Sequence, residues 1–134
     1  MKNLKVLSIV GISAFALFSF TMVVQAKWDV PAKYKSMKNP TDASDKENAA
    51  EGKALFSKNC TSCHGKKGQG DGSKAPELKG DMGDFTSAAF QKQTDGELYY
   101  KITEGREDMP SFKKKMANEE DRWLVVNYLR TLKK

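Results

Sequence analysis

Two cysteines and one histidine are all that this 134-residue chain holds of the residues that carry thiol chemistry or offer an imidazole. They are not scattered: all three fall within Cys60-Thr61-Ser62-Cys63-His64. This scarcity excludes several sites. A structural zinc centre usually takes four Cys or His ligands, and only these three are present. A thioredoxin-like dithiol sits near a βαβ pattern, and no stretch here alternates convincingly as a strand. A Cys60–Cys63 disulfide would leave His64 without a task. There are no internal repeats, and no low-complexity run outside the apolar N-terminal segment.

What remains is Cys-x-x-Cys-His, the attachment signature of a c-type haem. Each thiol adds across one haem vinyl group, and the two-residue gap lets both sulfurs reach one macrocycle. His64 then lies under the ring and offers an imidazole nitrogen to the iron. A haem tethered in this way cannot dissociate, which suits a carrier in an open compartment.

The N-terminus reads as an export signal. Lys2 and Lys5 precede a mostly apolar run over residues 6–24, which ends in Val24-Gln25-Ala26 with small residues where a signal peptidase reads. Residues 1–26 are therefore expected to be a signal peptide. The alternative is an uncleaved anchor, but Ser8, Ser13, Ser19 and Thr21 dilute a run that only approaches the roughly 20 residues of a bilayer span. The segment has no cysteine, so lipid attachment at a processed cysteine is excluded. Export implies an oxidising space, in which haem attachment consumes both thiols. A periplasm is expected, or the outer face of the inner membrane if the signal is retained. Losing Lys2 and Lys5 lowers the formal charge from +6 by those two lysines. Such a modest basic balance outside the cytoplasm favours an acidic protein surface over nucleic acid as partner.

Residues 27–46 read as an extension, because Pro31, Asn39, Pro40, Asp42, Ser44 and Asp45 break any helical period. A disordered lead-in is the common fate of a terminus and is the expectation for its first dozen residues. The alternative is that Trp28 and Tyr34 fasten it across the globular body or onto a partner. The body proper is expected over residues 47–134. Residues 48–58 look helical, with Asn48 and Glu51 resembling a capping box. Ala49, Gly52 and Phe56 share one face, with Leu55 beside them. Gly52 is costly inside a helix, which points to close approach of a second helix. Gly65, Gly68, Gly70, Gly72 and Gly80 mark a long loop, and a helical turn is expected near residues 87–93. Thr94 and Glu97 form a second capping-box pattern. They open a helix through about residue 104 that turns Leu98, Ile102 and Tyr99 or Tyr100 inward and ends at Gly105. Asn118 caps the last helix, with Glu119, Glu120 and Asp121 in its first turn and Arg130, Lys133 and Lys134 at its end, both favourable to the helix dipole. Val125, Tyr128, Leu129 and Leu132 recur at helical spacing, with Trp123 and Val126 alongside.

Haem held by His64 alone would leave the iron open, and electron transfer works better with a closed sixth position. No second histidine exists, so a methionine is the natural ligand. Outside the signal these are Met37, Met82, Met109 and Met116. Met37 lies in the extension, Met116 just before the last helix, and Met82 in a glycine-flanked loop where it competes in earnest. Met109 is favoured, because it sits in a loop between two helices and Pro110 fixes the backbone after it. His/Met ligation raises the reduction potential.

These residues resemble class I c-type cytochromes, the small monohaem cytochrome c family. The likeness spans residues 48–132 and rests on Gly52 and Phe56, Cys60 to Gly65, Pro76-x-Leu78, Met109-Pro110, and Trp123 and Tyr128. It implies an all-α fold of three to four helices around one covalent haem c and its iron, with the N- and C-terminal helices crossing. It implies that the Pro76 carbonyl accepts from the second nitrogen of His64, holding its tautomer, and that Leu78 presses on the haem face. It also implies one-electron transfer, with no chemistry on a substrate. The partners would be redox proteins such as a quinol-oxidising complex, a terminal oxidase or another reductase. A larger oxidoreductase with this chain as its haem subunit, docked through residues 27–46, is the alternative. Residues 27–46 lie outside the family core, and the propionate-binding residues are poorly marked, with Tyr99, Tyr100 and Arg106 as candidates. Lys66, Lys67, Lys74 and Lys79, together with Lys113, Lys114 and Lys115, would border the exposed haem edge and steer an acidic partner, although Asp71, Asp81, Asp84 and Asp108 dilute that rim. A body this small buries a limited core, so the haem is also expected to act as its staple.

Overall fold

The computed structural model describes residues 28–134, so the expected signal peptide lies outside the described residues. Among the described residues the structure is helical, and the only β pairing is one isolated bridge between Arg106 and Met109. Three helices of ten residues or more form the frame: α2 (Lys46–Asn59), α5 (Asp95–Glu104) and α6 (Glu119–Thr131). Single-turn helices α1 (Ala32–Lys35), α3 (Thr61–His64) and α4 (Ala88–Gln91), and a 3-10 turn (Ala75–Glu77), fill the connections. No helix among the described residues is long and apolar enough to cross a membrane.

The main joint is the crossing of α2 and α6. Gly52 makes it possible: a Cβ there would stand 2.3 Å from the Leu124 carbonyl oxygen, inside contact distance. Around this crossing Phe56 meets Tyr128 with ring centroids 5.0 Å apart. Tyr99 of α5 stacks on Trp123 of α6 at 4.1 Å and 12°. Phe56, Leu98, Tyr99, Ile102, Trp123, Val125, Val126 and Leu129 belong to one buried cluster. The inward faces expected of α5 and α6 are thus the observed ones, with Tyr99, not Tyr100, fully buried.

The caps follow local chemistry. Thr94 and Glu97 complete the capping box of α5, Gly105 ends that helix, Ser87 caps α4, and Asn118 caps α6. The start of α2 differs from expectation. Asp45, not Asn48, is the cap, its carboxylate accepting from the backbone N–H groups of Glu47 and Asn48 at 2.8 and 2.9 Å. An anion at a helix N-terminus also meets the positive end of the dipole, which a neutral asparagine one turn later does not. Asn48 instead donates its side-chain amide to the Asp42 carbonyl.

Residues 28–45 are not a loose lead-in. They form a strap across α5 and α6. Val30 is buried at 3% exposure, and Tyr34 packs on Tyr100 at 4.7 Å. Asn39 donates to the Trp123 carbonyl and to Asn127 Oδ1, and Asn127 donates in turn to Thr41 Oγ1 at 2.9 Å. The prolines and Asx turns that deny this stretch a long helix are compatible with a strap docked through side chains.

Two polar anchors were not legible as such. Arg122 is buried at 3% exposure, donating to Thr103 Oγ1, Tyr99 Oη and the Met116 and Asn118 carbonyls. Arg130 pins the end of α6 to the start of α5 through Asp95, at 2.7 Å, and the Gln91 and Gln93 carbonyls.

Candidate functional site

The site is built from the C-terminal end of α2. That helix runs into Cys60, whose N–H still donates to the Phe56 carbonyl, and the chain coils at once into α3. The loop that follows folds back onto α3. Lys74, Gly72 and Gly70 donate their N–H groups to the carbonyls of Ser62, Cys63 and His64 at 2.8, 3.2 and 3.0 Å. The carbonyls that a helix end leaves open are therefore paired, and the two cysteines and the histidine stand on a fixed turn.

Cys60 and Cys63 are free thiols, both half-buried. Burial pushes the Cys60 thiol up to about 12, against an opposing pull from Lys115. A thiol so far from ionisation is a poor nucleophile for disulfide exchange, which needs the thiolate. It suits instead a site whose sulfurs end as thioethers in an apolar setting. His64 is half-buried with its ring 4.5 Å from that of Phe85. Burial lowers its pKa, partly offset by its backbone hydrogen bond, and so favours the neutral imidazole that binds a metal. Two half-buried thiols and one half-buried imidazole on a single turn fit a tethered haem.

The second nitrogen of His64 does not find Pro76. Nδ1 lies 2.9 Å from the carbonyl oxygen of Met82. Pro76 is exposed in the 3-10 turn Ala75–Glu77, which closes on itself through Leu78 N–H to Ala75 O. The Asp81 carboxylate instead turns the chain at Gly83, accepting its N–H at 2.8 Å, and the Met82 carbonyl between them reaches the imidazole. This corrects the expected acceptor. Phe85, whose ring links His64 to Phe56 and Phe90, was not foreseen either. It lies in a glycine-bearing loop without periodicity, and only its size marked it.

The four methionines separate by environment. Met37 is exposed on the strap and Met116 is core at 2% exposure. Met82 is half-buried, and its residue stands behind the His64 ring, on the Nδ1 side. Met109 is half-buried and borders the same core cluster as Cys60. Its backbone closes a tight turn with Arg106, N–H to carbonyl in both directions at 2.8 and 2.9 Å. Leu78 is half-buried, and its neighbour Lys79 donates its N–H to the Asp108 carboxylate at 3.1 Å, tying the Leu78 loop to the Met109 turn. Of the propionate candidates, Tyr99 has its hydroxyl engaged by Arg122, Tyr100 packs on Tyr34, and Arg106 lies over Trp28.

A search of curated proteins returns no match. Among solved structures, the chain is similar to one in the Kuenenia stuttgartiensis reducing HAO-like protein complex Kustc0457/Kustc0458, with 25% identity and a TM-score of 0.61. That alignment covers 76% of this chain and 53% of the other, so this chain spans about half its relative's length. It is also similar to the KustC0563 c-type cytochrome, with 27% identity and a TM-score of 0.53, over 62% of this chain and 98% of that one. The helical frame is shared with both structures, the second of which is a c-type cytochrome. A family model described as cytochrome c matches residues 49–133. Cys60 and Cys63 fit the motif to which this family attaches haem c and its iron, the group that serves it in electron transfer; the chain belongs to the cytochrome c family.

Proposed function

We propose that this protein is a one-electron carrier of the periplasm, passing electrons between respiratory redox proteins and performing no chemistry on a substrate. His64 and Met109 are read as the axial ligands, Cys60 and Cys63 as the tethers, and Leu78 as haem environment. The observation that carries the reading is the sorting of the methionines around His64. A histidine bound to iron through Nε2 turns Nδ1 away from the metal, and Met82 holds Nδ1. Met82 is thus engaged through its backbone on the Nδ1 side, whereas Met109 packs against the same core cluster as Cys60.

When bound, the haem supplies a metal that cycles between ferrous and ferric states. The protein's own residues do the rest. The Met82 carbonyl fixes the tautomer and ring plane of His64. The turn holding Met109 keeps a soft thioether in place through both oxidation states, so little rearranges on electron transfer. Phe56, Phe85 and Leu78 exclude water. Residues 1–26 act as the export signal. The exposed Lys66, Lys67, Lys74, Lys79, Lys113, Lys114 and Lys115 would steer an acidic partner, such as a quinol-oxidising complex or a terminal oxidase, with weak, salt-sensitive docking.

One observation favours a second reading, in which the chain is the haem subunit of a larger oxidoreductase. The Kuenenia structure is a complex, and it matches a larger share of this chain than the KustC0563 cytochrome does. The strap would then lie at or near a subunit boundary.

The test is the visible spectrum of the oxidised, matured protein. The weak far-red band of methionine on ferric haem is expected in the wild type and absent in Met109→Ala. Haem without that band in the wild type would overturn the closed-iron carrier.

A further inference from the structure

The strap touches the turn that holds Met109. Trp28 presents its ring to two cations of the body: the Arg106 guanidinium at 4.5 Å from the ring centroid and the Lys101 ammonium at 5.4 Å. Arg106 is also the residue whose main chain closes on Met109 from both sides. The turn between them is tightly made. Gly105 has a φ of +68°, and a Cβ there would stand 2.5 Å from the Met109 carbonyl oxygen. Glu107 takes a φ of +53°, a left-handed conformation unusual for a residue with a side chain. Such a turn holds its shape only where its surroundings enforce it. Beyond the turn, Ser111 donates to the Thr103 carbonyl and Phe112 to the Ile102 carbonyl, which fix its exit. On one flank Asp108 is tied to Lys79, and over Arg106 lies Trp28.

We propose that Trp28 is a positioning residue for the sixth iron ligand. Its ring seats Arg106 beside Lys101, and Arg106 carries the turn that presents Met109. Two cations at one indole repel each other, and the electron-rich ring offsets that repulsion. This rests on the reading of Met109 as ligand. The strap lies outside the stretch matched by the family model, so this device belongs to this chain's own extension.

The test uses the full matured protein in its ferric form. The readout is the rate at which added imidazole displaces the axial methionine, followed through the far-red band. Trp28→Ala and Arg106→Met are each expected to speed displacement about threefold to tenfold, the range of a partly buried cation–π contact. Trp28→Phe should restore most of the wild-type rate. The double variant should fall short of the combined single effects, because both variants remove the Trp28–Arg106 contact. Additive effects, or a Trp28→Ala rate equal to wild type with the band intact, would overturn the inference and leave Met109 as ligand. If Met109→Ala keeps the band, the ligand reading itself fails. Should Trp28→Ala mature poorly, Trp28→Leu keeps an apolar side chain without the π face, and is expected to speed displacement over the same range of about threefold to tenfold.

Discussion

The α2–α6 crossing and the stretch from Gly65 to Met82 are the two halves of this molecule's problem. The first is dense and repetitive: side chains at helical spacing meet across a glycine, and Phe56, Val125 and Val126 are almost wholly buried. The second has one 3-10 turn, one Asx turn at Asp81 and backbone bonds back to α3, and none of its non-glycine residues is fully buried. The crossing is packed from the chain's own side chains. The loop half has the composition of a lining, whose shape answers to the group it surrounds.

The largest break in this comparison would come from removing the tethers. Cys60→Ser with Cys63→Ser prevents covalent haem attachment, and a core this small supplies only roughly 3–5 kcal/mol without a staple. We expect most of the helical circular dichroism to be lost. A variant that keeps its full helical signal would show that the crossing stands without the haem. Next in size is Gly52→Val, which drives methyl groups into the Leu124 carbonyl. Overpacking of this kind costs about 3 kcal/mol and should lower the denaturation midpoint of the holoprotein while leaving its visible spectrum unchanged. Smallest is Asp45→Ala, expected to cost about 1 kcal/mol as a lost helix cap. Asn48→Ala should cost less in the same urea titration, and a reversed order would restore the capping role to Asn48.

The two halves were not equally legible. The frame could be read because its signals are redundant. Leu98 and Ile102, or Val125 and Leu129, repeat the helical period, and Thr94 with Glu97 states a boundary twice. The tethering motif could be read because both cysteines and the only histidine fall within it. Redundancy failed at the start of α2, where Asp45 and Asn48 are both good caps and only the tertiary path of residues 42–45 chooses between them. It failed again at Nδ1 of His64. Any backbone carbonyl can accept that bond, and Met82 carries no mark that separates it from Pro76. Arg122 was illegible because a charge in a helix reads as solvated surface until Tyr99, Thr103 and the Met116 carbonyl close around it. The loose lead-in expected of the strap gave way to the alternative, Trp28 and Tyr34 fastening it across the body, because docking by single side chains leaves no period.

The strap also orders events in time. Asn39 bonds residues 84 and 88 positions further along the chain, and Trp28 seats on Arg106, well past the tethering motif. The first described residues to leave the ribosome are thus among the last to find their contacts. Contacts so distant in sequence form only after the cost of closing the intervening chain has been met. Until α6 has docked, the Asn39 side-chain amide has no seat on Trp123 and Asn127. Fastening of the strap therefore reports that the α6 end of the body is in place.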